Sequence, residues 1–85
     1  MRHSRPVAAL SVFLIDDSSF FLEHTRAWLS RQQGIEVVGA ASCAVDGLDR
    51  VAQLHPRVVL MDIDLPDMSG IEATRRLKKI GRAHV

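Results

Sequence analysis

With 85 residues, the chain has room for one small domain, and its 47% hydrophobic and 25% charged residues are typical of a globular protein. The formal net charge of +1 does not favour a nucleic-acid-binding surface, and no apolar run is long enough to span a membrane. The single Cys43 cannot form an internal disulfide, so we expect a reducing compartment and a cytoplasmic protein.

The first residues imitate a secretion signal, because Arg2 and Arg5 precede the mostly apolar residues 6–15. The apolar run leads directly into Asp16 and Asp17, however, and no small-residue cleavage pattern follows it. We therefore interpret it as a buried first strand.

Two kinds of pattern alternate along the rest of the chain. Short apolar runs rich in Val and Ile predict strands over residues 10–15, 35–40 and 57–63. Apolar residues at helical spacing predict helices over residues 18–32, 43–54 and 70–80. The order βαβαβα predicts an α/β fold, in which a parallel sheet is connected by right-handed crossovers. Residues 83–85 look like the start of a fourth strand.

Cap signals accompany the predicted helices. Ser18 or Asp17 is expected to cap the first helix, and Ser42 the second. Residues 69–72, Ser-Gly-Ile-Glu, form a capping box, in which the serine accepts from the third backbone amide and the glutamate reaches back. His55-Pro56 ends the second helix.

Acidic residues follow two of the predicted strands. Asp16 and Asp17 end the first strand, and the third runs into Asp62, Asp64 and Asp67. Like charges crowded at a strand end repel one another unless a cation or a chemical role offsets the repulsion. If the strand order is 2-1-3, the two acidic ends meet where parallel sheets bind ligands, and their oxygens suit Mg²⁺. The scattered glycines form no phosphate-binding loop, so any phosphate would be held by the metal and any nucleophile would be a carboxylate.

Two segments carry a family resemblance over nearly the whole chain. Phe13-Leu14-Ile15-Asp16-Asp17-Ser18 and residues 61–70, with a proline four and a glycine eight positions after Asp62, resemble the receiver domain of two-component response regulators. The resemblance implies a flavodoxin-like fold with a parallel sheet in the order 2-1-3.

The resemblance also implies roles for single residues. Asp62 would accept a phosphoryl group from a sensor histidine kinase. Asp17 would be a direct Mg²⁺ ligand, Asp16 a water-mediated ligand, and Asp64 a ligand through its backbone carbonyl. Any self-phosphotransfer or phosphatase activity is expected to be weak, so we do not class the chain as an enzyme.

The chain departs from the family in its number of βα units and in two functional positions. A receiver has five βα units, and 85 residues have room for three, without an output domain. The family's switch Ser/Thr and phosphate-binding lysine have no counterpart, since Lys78 and Lys79 lie late on the third helix. We therefore expect slow phosphorylation. The alternative is a truncated receiver that cannot be phosphorylated and serves only as an interaction or dimerisation module.

Other interpretations are weaker. Haloacid-dehalogenase-type phosphatases also carry Asp-x-Asp after an apolar strand, but they place it on the first strand and need motifs downstream that this chain lacks. An acidic helix cap would explain one of Asp16 and Asp17, not both. Phe20, Phe21 and Trp28 are expected to pack in the core rather than bind a ligand.

The third strand leads to an expectation about assembly. In the order 2-1-3 it lies at a sheet edge, and residues 58–61, Val-Val-Leu-Met, carry no proline or charge that would protect that edge. We expect a homodimer through this strand.

Overall fold

Three βα units make up the part of the chain that the structure, a computed structural model, describes, residues 9–80. The elements are β1 (Leu10–Ile15), α1 (Ser19–Ser30), β2 (Ile35–Ala41), α2 (Ala44–Leu54), β3 (Val58–Met61) and α3 (Gly70–Ile80). The fourth strand expected at residues 83–85 lies outside the described residues. No helix within residues 9–80 is both long and apolar enough to cross a membrane.

The three strands form a parallel sheet in the order β2-β1-β3, which confirms the predicted order. At the carboxyl end of β1, Ile15 pairs with Ala41 of β2 on one side and Met61 of β3 on the other. The strands therefore end level with one another, and the residues that follow β1 and β3 leave the sheet side by side.

The sheet is covered on both faces, as the apolar strands require. On one face, α1 packs against β1 and β2, and its Leu29 lies with Val12 and Leu14. The other face carries the larger core, to which α2 and α3 contribute Val51 and Leu77. Alternation along β1 thus divides its side chains between two apolar layers.

The expectation that the aromatic residues of α1 pack in the core is wrong. Phe20 is 70% exposed, Phe21 50% and Trp28 57%. The Phe20 ring lies against the His24 ring of the same helix in a tilted arrangement, with 4.2 Å between ring centroids and 58° between the ring planes. Within the described residues α1 has no neighbouring helix on its face of the sheet, so only a narrow stripe around Leu29 is buried.

Several elements are shorter in the structure than predicted. β3 was expected to reach Ile63 but ends at Met61, and Ile63 is 71% exposed. The last sheet bond runs from Asp62 N to Ile15 O at 2.9 Å, after which the chain turns away. α1 is likewise shorter than predicted and spans Ser19–Ser30, while the turn at residues 31–34 precedes β2.

Two cap predictions also need correction. Ser42 does not cap α2, whose N-cap position is Cys43 and carries no side-chain cap hydrogen bond. At α3, Ser69 Oγ accepts from Glu72 N at 3.1 Å as predicted. The predicted bond from the Ser69 backbone to the Glu72 carboxylate is replaced by two others. The carboxylate accepts from Arg75 at 2.7 Å and from Arg76 at 2.9 Å.

Candidate functional site

The carboxyl ends of β1 and β3 hold the backbone from which the acidic side chains project. Asp16 N donates to Ala41 O at 3.1 Å, and Asp62 N donates to Ile15 O at 2.9 Å. Both residues thus continue the hydrogen bonding of the sheet by one position. A site built on sheet ends is held more rigidly than one built on loops.

Asp16, Asp17 and Asp62 converge at this edge of the sheet. Each offers a carboxylate oxygen, and the three oxygens lie within 4.8 Å of one another. Asp16 and Asp62 are partly buried, whereas Asp17 is exposed. Parallel strands with level ends account for this, because residues that follow neighbouring strands emerge close together.

Local hydrogen bonds orient two of the three carboxylates. Asp16 Oδ1 accepts from Ser18 N at 2.9 Å, and Asp62 Oδ1 accepts from Asp64 N at 3.1 Å. Each aspartate therefore bonds the backbone two residues further on, as aspartates in turns do. Ser18 caps α1 by accepting from Phe21 N at 3.2 Å, so the helix start does not account for Asp17.

The donor set fits a hard divalent cation. Mg²⁺ takes oxygen ligands, keeps several of its waters and binds through one or two carboxylates. The three aspartates supply such oxygens, and the exposed side of the site at Asp17 leaves room for bound water. Asp64 is exposed, and its backbone N–H donates to Asp62 Oδ1, so a ligand role for its carbonyl stays a prediction.

Asp67 has a role that the sequence analysis missed. Its Oδ1 accepts from Ala44 N and its Oδ2 from Val45 N, both at 2.9 Å. The carboxylate thus takes the place of the missing side-chain cap of α2, from a loop 22 and 23 residues further along the chain. No local pattern signals this contact, because helix-cap rules consider only the residues next to the helix.

These bonds change the acidity of Asp67. Donation from the backbone N–H groups of Val45 and Ala44 stabilises the ionised form and lowers the carboxyl pKa below its ordinary value of 3.8. Partial desolvation acts in the opposite direction, and the Cys43 side chain lowers the pKa further. Asp67 is therefore held as a carboxylate at neutral pH.

Comparison with known proteins identifies the family to which the fold belongs. A family model described as the response regulator receiver domain matches residues 12–85. An uncharacterized response regulatory protein of Vibrio cholerae is 48% identical over 63 residues, which are 74% of this chain and 27% of that protein. The chain thus spans about a quarter of the length of this relative.

Solved structures give the same result. The response regulator domain of Thermotoga maritima CheB superposes with a TM-score of 0.82 at 29% identity, over 88% of this chain and 56% of that chain. CheY6 in complex with the P1 domain of CheA3 from R. sphaeroides superposes with a TM-score of 0.79 at 26% identity, over 91% and 60% of the two chains. The βαβαβα unit described above is therefore shared with these receivers, and its flavodoxin-like fold is confirmed.

Proposed function

The chain belongs to the response regulator receiver domain family, and from this premise we propose that it accepts a phosphoryl group from a histidine kinase onto Asp62. The observation that carries the proposal is the convergence of Asp16, Asp17 and Asp62, whose carboxylate oxygens lie within 4.8 Å of one another. Asp62 is the member that follows β3, and the resemblance implies that it is the phosphoacceptor.

Phosphoryl transfer to Asp62 requires little covalent chemistry from the protein. A carboxylate oxygen carries its own negative charge, so it needs no general base to become a nucleophile. A P–O bond forms to Asp62, the P–N bond to the donor's imidazole breaks, and its electron pair stays on the imidazole nitrogen. The hydrogen bond from Asp64 N to Asp62 Oδ1 fixes the carboxylate, which leaves Oδ2 to attack in line.

A divalent cation belongs to the proposal. Asp17 and Asp62 would hold it directly, Asp16 through a water, and Asp64 through its backbone carbonyl, with Mg²⁺ the cation that suits such oxygens. When bound, the cation neutralises charge on the phosphoryl oxygens. The charge of the three carboxylates would then be compensated, so they would repel the incoming phosphoryl group less.

The proposed donor is a sensor histidine kinase in the cytoplasm. CheY6, one of the similar structures, was solved in complex with the P1 domain of CheA3. A partner docking at the acidic edge would meet the start of α1, where Phe20 is 70% exposed. Burial of such an aromatic side chain is a common source of binding energy in interfaces.

We propose that the transfer is slow in these 85 residues taken by themselves. Its two lysines, Lys78 and Lys79, lie in the last turn of α3, whereas the loop from Asp62 enters α3 at its first turn. An 11-residue helix is about 16 Å long, so these ammonium groups are remote from the carboxylates. Loss of one charged donor to the transferred group costs about a hundredfold or more in rate.

Incubation with Mg²⁺ and a small phosphodonor such as acetyl phosphate, followed by intact mass measurement, tests the proposal. We expect a gain of one phosphoryl group in the wild type and none in Asp62→Asn. Asp49→Asn is the matched control, because it makes the same charge change at an exposed position on α2, outside the acidic cluster. Persistence of the mass gain in Asp62→Asn would contradict the assignment.

The second candidate is an interaction module without phosphorylation. Its support is the apolar surface beside β3, where Leu60 is 44% exposed and Ile63 71%. The same mass measurement separates the two functions. A folded wild type that takes up no phosphoryl group from the donor, in the presence of Mg²⁺, would favour the module.

A further inference from the structure

We propose that Asp67 is a positioning residue for the phosphoacceptor site, because its carboxylate ties the loop that follows Asp62 to the first turn of α2. The inference rests on the proposed function of that site. Asp67 itself touches neither Asp62 nor the other members of the acidic cluster in any hydrogen bond of the described residues.

The first support is the geometry of the tie. Both carboxylate oxygens of Asp67 are used, one for Ala44 N and one for Val45 N, at 2.9 Å each. Hydrogen bonds from two backbone amides to one ionised carboxylate are stronger than bonds between neutral groups. Within residues 9–80 they are also the hydrogen bonds that join this loop to α2.

The second support is the way the loop at residues 62–69 is fixed along its length. Its first turn is closed by the bond from Asp64 N to Asp62 Oδ1, and its end is fixed by Ser69, which caps α3. Between them Leu65 is inserted into the core at 6% exposure, and Asp67 follows two residues later. Asp64 therefore lies between the phosphoacceptor and the tie.

The start and the end of this loop lie close together, so the path between them depends on the hydrogen bonds of Asp67. A Cβ on Gly70 would lie 3.0 Å from Ile63 Cβ and 3.1 Å from Ile63 Cα, so the two ends of the loop already touch. A loop closed this tightly has few alternative paths once Leu65 and Asp67 are in place. Release of Asp67 leaves Leu65 and the partly buried Met68 as the apolar anchors of this part of the loop, and the turn that presents Asp62 and Asp64 gains freedom.

The consequence for the site is quantitative. Hydrogen bonds behind the ligands of a metal site typically change metal affinity by about tenfold or more when they are removed. Asp67 acts one step further back, through the backbone at Asp64. We expect Asp67→Ala to raise the Mg²⁺ concentration at half-saturation by roughly tenfold and to slow phosphorylation by a similar factor.

The conservative variant grades the effect. Asn has one oxygen acceptor, and its amide group cannot accept from a backbone N–H. Asp67→Asn should keep one of the two bonds and fall between the wild type and Asp67→Ala in both measurements. A graded series of this kind is not expected from simple loss of charge, because both variants remove the same charge.

The matched control is Asp46→Ala. Asp46 lies in the first turn of α2, close to the same helix start, and is exposed. Its removal makes the same charge change near the same helix dipole but leaves the two bonds from Asp67 intact. Asp46→Ala should therefore keep the Mg²⁺ midpoint and the phosphorylation rate of the wild type.

The experiment measures Mg²⁺ midpoints from amide chemical shifts of residues 62–64, and phosphorylation rates from intact mass with acetyl phosphate. The phosphorylation rates are divided by the folded fraction from circular dichroism. If Asp67→Ala does not fold, Asp67→Asn is compared with the wild type in its place. Midpoints and rates of the Asp67 variants equal to those of Asp46→Ala would overturn the inference. Absence of a Mg²⁺ response and of mass gain in the wild type itself would instead overturn the proposed function.

Discussion

The three carboxylates of the acidic cluster differ in burial and in hydrogen bonding. These differences determine which substitution tests cation binding most directly. Asp16 and Asp62 are partly buried and accept backbone hydrogen bonds, so their substitution also alters local turns. Asp17 is exposed, and the cap of α1 is Ser18. Its substitution therefore tests cation binding with little effect on the fold.

We predict that Asp17→Asn raises the Mg²⁺ concentration at half-saturation by about tenfold, because the number of charged ligands sets the affinity of such sites. The wild-type affinity should itself be weak, since few protein ligands leave Mg²⁺ mostly hydrated. Amide shifts of residues 16–18 during a Mg²⁺ titration measure the midpoint. Glu23→Gln, an exposed position on α1, is the control for charge. Equal midpoints in the wild type and Asp17→Asn would remove Asp17 from the ligand set.

A second residue-scale prediction concerns pH and stability. The folded-state pKa of Asp67 is lowered below its ordinary 3.8, so its stabilising effect is complete above that value and is lost as the pH falls through the lowered pKa. Wild type should therefore exceed Asp67→Asn in stability at neutral pH, and the gap should close in acid. Urea unfolding across this range measures the gap.

Comparison of the wild type with Asp67→Asn isolates the contribution of Asp67 to the pH dependence of stability. The pKa of Glu72 is also lowered, chiefly by its hydrogen bond from Arg76, but Glu72 is present in both proteins and cancels from the difference. A gap in unfolding free energy that stays constant with pH would show that the Asp67 carboxylate contributes through packing rather than through its charge.

At the scale of elements, α2 depends on two features supplied by the rest of the fold. Its start is capped by Asp67 from the β3–α3 loop, and its Gly47 lies against Ile15 of β1. In the sequence alone Gly47 only weakens the helix. In the structure it allows α2 to approach the sheet, because a Cβ there would lie 2.6 Å from Ile15 Cδ1.

Gly47→Ala is therefore predicted to destabilise the fold by about 1 kcal/mol, since overpacking of a full core outweighs the gain in helix propensity. Ile15 is 1% exposed and has little room to move. Chemical denaturation gives the change in unfolding free energy. Stabilisation by Gly47→Ala would mean that Ile15 adjusts at low cost.

Ile15→Val provides the partner for a double-mutant cycle, because it removes the Cδ1 atom that makes the shortest contact. Alone it should cost about 0.5–1.5 kcal/mol. Combined with Gly47→Ala, the total should be smaller than the sum of the two single changes. Additive free energies would exclude a steric conflict between these positions.

At the scale of the whole molecule, the sheet is unevenly covered. Among residues 9–80, β3 pairs with β1 on one side only, and α1 lies against β1 and β2 rather than β3. A groove of about 360 Å³ runs beside α1 and is lined by Phe21, Leu22 and Leu60. An edge strand next to an apolar groove is a template for pairing with another chain.

We propose a homodimer in which β3 pairs with β3 of a second copy across a two-fold axis, so that six strands form one sheet. Leu60→Lys places a charge on this edge and should raise the dimer dissociation constant at least about tenfold. Sedimentation equilibrium at micromolar concentration measures it. Leu54→Lys, at a 47% exposed position on α2, controls for an added lysine. A folded wild-type monomer would contradict the proposal.

Local patterns were sufficient for the alternation of strands and helices and for the position of the acidic residues at strand ends. Apolar runs and helical spacing are properties of neighbouring residues, so they predicted a βαβαβα order and put Asp16 and Asp62 just beyond β1 and β3. The family resemblance added the strand order 2-1-3, which the sheet confirms. The alternation of elements and the acidic residues at strand ends need no knowledge of distant contacts.

Only the tertiary structure decided the features that depend on partners far along the chain. Ile63 leaves the sheet although it is apolar, because the last backbone bond of the strand joins Asp62 N to Ile15 O, 47 residues earlier (62 − 15). Asp67 rather than Ser42 caps α2, and Trp28 is exposed because α1 has a narrow contact with the sheet. Each outcome is set by which groups meet after the chain has folded, and such meetings leave no periodic signal in the sequence.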